Sequence, residues 1–229
     1  MNIAIILASG LSLRTKTKTP KQFLKINNKT ILEHSALTFI NTKEINKVII
    51  VVREEHLSKV KSIFKKYKCY NNFLYFCAGG SSRNSSIKKA LEFAKNNLTM
   101  KKDDIILTHD ANRIFVTSKI IKDNIISCKK NKCVITGINS SDTIYKYKNK
   151  SITSTLNRNE LFCSQTPQTF TYEKISKIIN IKDKKIFDNS DLGTSAFSLN
   201  EKISIVKGSS LNFKITNYDD YIIAKKIMK

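Results

Sequence analysis

The sequence predicts an α/β fold, with a mainly parallel sheet and helices packed on both faces. Three observations carry the prediction. Short, apolar-rich runs at 3–8, 47–52 and 133–138 fit strands buried on both faces. Stretches with helical spacing lie between the runs, such as Leu57, Val60, Ile63 and Phe64 on one helix face. Strands and helices alternate at short intervals, which favours parallel strands joined by helical crossovers.

In chain order, Ile3–Ala8 is the first strand and Ser9 to Lys21 a loop. A helix follows over Thr30–Ile40, carrying Ile31, Leu32, Leu37 and Ile40. Lys47–Val52 is a strand, Glu54–Lys68 an amphipathic helix, and Asn72–Cys77 a strand that runs into Gly79-Gly80-Ser81-Ser82-Arg83. Ser85–Asn97 is helical, with Ile87, Leu91 and Ala94 inward. Asp104–Thr108 is a strand ending in the loop His109-Asp110-Ala111-Asn112-Arg113. The helix Ser118–Lys129 and the strand Cys133–Ile138 complete the regular part. The rhythm then breaks: Asp142–Tyr147 and Ser151–Leu156 are short polar strands around Lys148-Asn149-Lys150, a hairpin with too little apolar surface to stand alone. An arm packing on another subunit would account for it. Beyond Gln165-Thr166-Pro167-Gln168 come helices near Tyr172–Ile179 and Asp191–Phe197. Short strands at Ile203–Val206 and Phe213–Ile215 precede a last helix, Tyr218–Met228. The whole reads as a single domain, 1–229, with an arm at about 141–160.

Composition narrows the function. The chain has 229 residues, 41% of them apolar, and no apolar run of membrane-spanning length. The opening residues lack the basic segment and cleavage site of a signal peptide, which predicts a cytoplasmic protein. Cys69, Cys77, Cys128, Cys133 and Cys163 include no CxxC, which argues against a disulfide framework or zinc site. The formal charge is +23, but its lysines are spread along the whole length amid abundant Asn and Ile, as a background bias would leave them. No nucleic-acid arm is expected. Against that background, the five arginines, Arg14, Arg53, Arg83, Arg113 and Arg158, suggest planar clamps for phosphate or carboxylate.

Ligands of an open parallel sheet bind beyond the carboxyl ends of the strands. The loop after Ala8 holds Ser9, Gly10, Arg14 and Lys21; the loop after Cys77 holds two glycines, serines and Arg83; the loop after Thr108 holds Asp110 and Arg113. Close-approaching amides with fixed cations suit a polyphosphate. A carboxylate between them suits Mg²⁺ bridging phosphate oxygens. GxxxxGK[ST] and a GxGxxG after the first strand are both missing, so a P-loop NTPase and a dinucleotide dehydrogenase are disfavoured. His34 and His56 read as structural or surface residues; His109 opens the third loop and fits either a site or a packing role.

Seven motifs occur in order: LASGxxxR, PKQF, GGxxRxxSI, HDAxR, DTI, NRxxLxxxQTPQTF and NxKIT, from Leu7 to Thr216. In this set the chain resembles the cytidylyltransferases that act on ribitol 5-phosphate and on 2-C-methyl-D-erythritol 4-phosphate. The resemblance implies a Rossmann-like nucleotidyltransferase fold, a divalent cation such as Mg²⁺, and a homodimer built through the protruding hairpin. It also implies roles. Ala8, Ser9 and Gly10 wrap the CTP phosphates; Gly80, Ser81 and Ser86 read cytosine and ribose. Arg14, Lys21 and Lys214 are catalytic cations, and Asp110 stands by the metal and the acceptor. Arg113 faces the acceptor phosphate, while Thr143 and Arg158 reach the partner's acceptor site. Departures from the usual pattern are Ser9, Ser12, Asn112, Ile114, Tyr145 and Phe187. Leu7, where proline is common in methylerythritol enzymes, and the stretch Arg83-Asn-Ser-Ser-Ile-Lys-Lys favour ribitol 5-phosphate as acceptor, with methylerythritol phosphate or another alditol or sugar phosphate as the alternative.

Overall fold

A computed structural model describes residues 1–10, 19–67, 73–187, 189 and 191–229. The chain runs β1 (Asn2–Leu7), β2 (Lys25–Ile26), β3 (Lys29–Thr30), α1 (Ile31–Ile40), β4 (Lys47–Val52), α2 (Leu57–Phe64), β5 (Leu74–Ala78), α3 (Arg83–Asn97), β6 (Ile105–Asp110) and α4 (Ser118–Asn131). It continues β7 (Cys133–Asn139), β8 (Ile144–Lys148), β9 (Ser151–Leu156), β10 (Phe162–Thr171), α5 (Tyr172–Ile179), α6 (Lys184–Phe187), α7 (Leu192–Ser198), β11 (Ser204–Lys207) and α8 (Tyr218–Ile227). Seven strands form one sheet in the order β11-β7-β10-β6-β1-β4-β5. All neighbours are parallel except β10, which is antiparallel to both β6 and β7.

The alternation of side chains along β1 explains the two layers. Ala4, Ile6 and Ala8 join one core, under Phe39 of α1, Phe64 of α2 and Ile121 of α4. Ile3 and Ile5 join the other, under Ile87 and Ala90 of α3, Ile178 of α5 and Leu192 of α7. Ile3, Ala4, Ile5 and Ile6 are all fully buried, as a continuous apolar run in a parallel sheet should be. Local signals start the helices. Thr30 and Glu33 form a capping box on α1, and Ser82 with Ser85 forms one on α3.

Register brings the strand ends together. Leu7 lies beside both Val51 and Asp110, and Val52 lies beside Ala78. The amides just beyond continue the ladder: Ala8 N–H donates to Val51 O at 2.8 Å, Gly79 to Val52 O at 2.7 Å, and Ala111 to Leu7 O at 3.0 Å. Three loops therefore leave the sheet side by side.

Four sequence expectations change. Residues 162–171, where no strand was expected, form the ten-residue strand β10. Its Pro167 and its buried Gln165, Thr166, Gln168, Thr169 and Thr171 hide it from an apolar pattern, and its register slips between Ser164 and Gln168. Strand β6 continues through His109 and Asp110, so these residues end a strand and do not open a loop. Phe213–Ile215 is an irregular strap held by Ile215 N–H on Asn112 O at 2.9 Å. A hairpin, β2–β3, turns through Asn27 and Asn28 at φ 46° and 64°, where Asn tolerates the left-handed backbone. The expected helix and strand limits at Lys68 and Asn72, and Cys69, lie outside the described residues.

Strand β8–β9 form a separate two-stranded sheet, exposed almost throughout. Among the described residues no helix is long and apolar enough to cross a membrane. The core test is β10: Phe170, fully buried at the sheet centre, should cost about 3–5 kcal/mol on Phe170→Ala, measured by urea unfolding.

Candidate active site

The first two loops fit together through serines and glycines. Ser9 Oγ lies 2.9 Å from Ser86 Oγ, which also accepts Gly80 N–H at 3.0 Å and donates to Ser82 O at 2.8 Å. The glycines are required by space. A Cβ on Gly79 would stand 2.7 Å from Ser9 Cβ, and one on Gly80 2.3 Å from Ser85 Oγ. The start of the 15-residue helix α3 adds its oriented amides to the same wall. The result is a cavity of about 280 Å³ lined by Ala8, Ser9, Gly10, Lys21, Gly80, Ser81, Ser86, Asp110 and Lys214. Lys21 opens a short 3₁₀ turn, Lys21–Phe23, entered through Pro20.

Asp110 is the electrostatic centre. Its Oδ2 accepts Lys214 Nζ at 2.8 Å and its Oδ1 accepts Arg83 Nε at 3.3 Å. Burial alone would raise its pKa, but Arg83, then Lys214 and Arg113, outweigh burial and hold the carboxyl far below its ordinary range. Lys214 is delivered by the strap: Asn112 Nδ2 donates to Ile215 O at 2.7 Å while Asn112 O accepts Ile215 N–H. Asn112, a departure in the motif, is thus the clip that fixes the lysine. A second cavity, about 150 Å³, adjoins the first and is bordered by Arg83, Asp110, Arg113, Gln165, Gln168, Asp191 and Lys214.

His109 binds the two cavities together from below. It is fully buried; its Nε2–H donates to Arg113 O at 3.1 Å, because a carbonyl can only accept. Its Nδ1 therefore accepts Thr166 Oγ1–H at 2.9 Å, and Thr166 Oγ1 in turn accepts Asp110 N–H at 3.1 Å. Burial lowers its pKa from 6.5 to about 4, against the pull of Asp110.

Nine of the expected site residues thus line the first cavity, and Arg113 borders the second. Arg14 lies outside the described residues. Thr143 and Arg158 lie at the exposed base of the hairpin, Arg158 Nη1 donating to Ser141 O at 3.4 Å, and neither lines either of these two cavities. The sequence missed Arg83 as the partner of Asp110, and Gln165, Gln168 and Asp191 as walls. The QTPQ motif was the available signal, without a role attached. Phe187 packs against the core and its carbonyl takes Asn84 Nδ2 at 2.5 Å, so it makes no acceptor wall. Among the described residues, no three His, Cys, Asp or Glu side chains converge as a metal site.

An amide-lined pocket with lysines, joined through one buried carboxylate to an arginine-lined pocket at the ends of parallel strands, defines a nucleotidyltransferase site. The sequence profile of the 2-C-methyl-D-erythritol 4-phosphate cytidylyltransferases matches residues 2–229. An enzyme of that name from Thermosipho melanesiensis is 36% identical over 225 residues, covering 97% of this chain and 96% of its own. Among solved structures, 4-diphosphocytidyl-2C-methyl-D-erythritol synthase from Anaerococcus prevotii superposes with a TM-score of 0.80 at 27% identity, covering 99% of this chain and 95% of its own. The 2-C-methyl-D-erythritol 4-phosphate cytidylyltransferase of Francisella tularensis gives 0.81 at 25%, covering 100% and 99%. The chain belongs to the 2-C-methyl-D-erythritol 4-phosphate cytidylyltransferase family and is a CTP-dependent nucleotidyltransferase.

These matches overturn ribitol 5-phosphate as the favoured acceptor. Apart from Arg83, the features behind that preference do not border the second cavity. Leu7 borders the first cavity and packs on the core; Asn84 tethers Phe187, and Ser85 caps α3.

His109 makes a pH prediction. Between about 6.5 and 4 the unfolded imidazole binds a proton that the folded one refuses, so stability falls as pH drops through that window. The loss should be on the order of 3 kcal/mol in urea unfolding, and flatter in His109→Gln.

Proposed function

We propose that this chain transfers the cytidylyl group of CTP to 2-C-methyl-D-erythritol 4-phosphate, releasing pyrophosphate. The observation that carries the reading is the seam at Asp110, where one carboxylate with Arg83 and Lys214 borders both cavities. The family match supports the acceptor.

In this reading the amides of Ala8, Ser9 and Gly10 hold the triphosphate, and Gly80, Ser81 and Ser86 face cytosine and ribose. An acceptor phosphate oxygen attacks the α-phosphorus, and the bond to the pyrophosphate oxygen breaks in line. A phosphate monoester has a second pKa of about 6, so no general base is needed. Catalysis is then positioning and neutralisation of growing charge, by Lys21, Arg14 and Lys214. Asp110, the acid lining the first cavity, would be the residue to hold a divalent cation. Such an ion, when bound, acts as a Lewis acid on the phosphate oxygens. A reaction that consumes CTP fits the cytoplasm.

The hairpin supports a homodimer with shared sites. Tyr147 lies opposite Ile152 in register, Tyr145 lies two residues away on the same face, and all three are exposed. A two-stranded ribbon with such a face needs a cover, and a second copy would bring Thr143 and Arg158 to the partner's acceptor cavity, beside Arg113.

Pyrophosphate release with CTP and Mg²⁺ tests the acceptor: 2-C-methyl-D-erythritol 4-phosphate should support turnover and ribitol 5-phosphate should not. The reverse result would sink the proposal. Lys21→Ala should lose about 100-fold or more in kcat, the scale of a lost transition-state charge contact. Mixing Lys21→Ala with Arg158→Ala, each inactive alone, should restore activity, because one site of the mixed dimer regains both residues. No recovery would mean that Arg158 acts within its own subunit or not at all.

A further inference from the structure

Lys21 and Lys214 line the first cavity from near the two ends of the chain, and helix α8 bonds to both segments that carry them. Lys21 stands in the 3₁₀ turn that leads into the β2–β3 hairpin. Its carbonyl accepts Leu24 N–H at 3.1 Å, and Leu24 O accepts Ile31 N–H at 2.9 Å. Lys214 stands on the strap between Phe213 and Ile215, and its carbonyl accepts Thr216 Oγ1–H at 3.0 Å. Each segment has an anchor of its own. Phe23 is buried in the first core, with Lys59 Nζ 4.2 Å from the centre of its ring, and Asn112 clips the strap.

Consecutive residues of α8 then grip the two segments. Asp220 Oδ2 accepts Thr216 N–H at 2.7 Å and Asn217 N–H at 3.0 Å, at the foot of the strap. Tyr221 Oη–H donates to Lys25 O at 2.8 Å, just past the turn that holds Lys21. At the far end of the helix, Asn27 Nδ2 donates to Met228 O at 2.5 Å. Beneath these bonds Leu24, Phe213, Ile215, Tyr221 and Ala224 share a small apolar cluster, separate from the two main cores. The bonds of Tyr221 and Asn27 span 196 and 201 positions of sequence and belong to no helix or strand ladder. What they fix is where the hairpin stands relative to the strap.

We propose that Tyr221 and Asp220 are positioning residues, and that α8 is a latch setting the spacing of Lys21 and Lys214 across the first cavity. This rests on the proposed role of the two lysines toward the triphosphate. Neither Tyr221 nor Asp220 lines either cavity, so each acts through the lysine whose segment it holds. Two ammonium groups serving one polyphosphate must stand at a fixed separation, and a misplacement of about 1 Å at such a group can cost on the order of 100-fold in rate. Holding both from adjacent positions of one rigid helix orders them before the ligand arrives.

The test is a double-mutant cycle in the full-length protein, read as affinity for α,β-methylene CTP with Mg²⁺ by calorimetry. Tyr221→Phe removes one hydroxyl and should weaken the analogue about fivefold, the scale of one neutral hydrogen bond. In the Lys21→Ala background the same change should stay within about twofold, while lowering Tm equally in both backgrounds. A merely structural tyrosine would cost the same factor with and without Lys21. Asp220→Ala should behave likewise toward Lys214→Ala, and Asp220→Asn, which keeps an acceptor oxygen, should recover most of the loss. In turnover with 2-C-methyl-D-erythritol 4-phosphate, Tyr221→Phe should lower kcat about tenfold and leave the acceptor KM within about twofold. The proposal is overturned if Tyr221→Phe binds the analogue like wild type, if its loss is the same with and without Lys21, or if the acceptor KM absorbs the loss in turnover. Lys21→Ala binding the analogue like wild type, or wild type failing to bind it, would reject the role of Lys21 itself and the latch with it. A cycle that comes out as expected, without pyrophosphate release from 2-C-methyl-D-erythritol 4-phosphate, would support the latch and reject the acceptor.

Discussion

The site depends on one buried carboxylate and the two cations it holds. Asp110 sits at the end of the central strand β6, Arg83 at the start of α3, and Lys214 on the strap before α8. Nothing in chain order brings these segments together. An ionised carboxylate cannot be buried uncompensated, so the fold that buries Asp110 must bring cations to it. Each cation carries its own segment along, and the walls of both cavities follow. The geometry also leaves an excess of positive charge, since the three cations Arg83, Lys214 and Arg113 outnumber the two acids Asp110 and Asp191. That surplus, fixed before any ligand arrives, is what an incoming polyphosphate and phosphate monoester require.

A polar core supports this centre from behind. Thr166 Oγ1 stands between the Asp110 amide and His109 Nδ1, and His109 passes the connection on to Arg113. Deeper in β10, Thr169 Oγ1 donates to Asn124 Oδ1 at 3.0 Å, Asn124 Nδ2 to Thr136 Oγ1 at 2.8 Å, and Thr136 Oγ1 to Pro167 O at 2.7 Å. These groups are buried and matched, so they fix one arrangement of the irregular stretch around Ser164–Gln168 where an apolar core would tolerate several. The antiparallel strand inserted between two parallel neighbours serves the same end. It carries Gln165, Thr166 and Gln168 back to the site that β6 and the strap already form.

How much of this the sequence disclosed depends on whether the signal is local. The strands β1, β4, β6 and β7 and the amphipathic helices declare themselves through period and burial, and the amide-rich loops through glycine and serine at the ends of apolar runs. Ser9, Gly10, Lys21, Gly80 and Ser81 stand in loops marked this way, whereas Ala8, Ser86 and Lys214 were named through the motif resemblance, and all of them meet in one cavity. Strand β10 was missed because its buried face is threonine and glutamine, whose burial makes sense only with partners on α4 and β7. The Arg83–Asp110 pair was missed because its members are 27 residues apart with no periodic relation. Asn112 read as a departure from a motif, and only the strap at Ile215 gives it a task.

The same distinction explains why the acceptor was misjudged while the nucleotide was not. Much of the first cavity comes from two continuous stretches, Leu7–Gly10 and Gly80–Arg83, where neighbours in sequence are neighbours in the wall. The second cavity draws on α3, β6, β10, the N-cap of α7 and the strap, each giving one or two side chains. Leu7 and the residues after Arg83 seemed to report on the acceptor because they vary near a motif, yet one packs in the core and the others cap and tether a helix. On the proposed reading, selectivity among sugar and alditol phosphates comes from a wall assembled by tertiary contact. In such a wall Arg83, paired with Asp110, and Arg113, held by two backbone carbonyls, look alike in sequence and differ in what they bond.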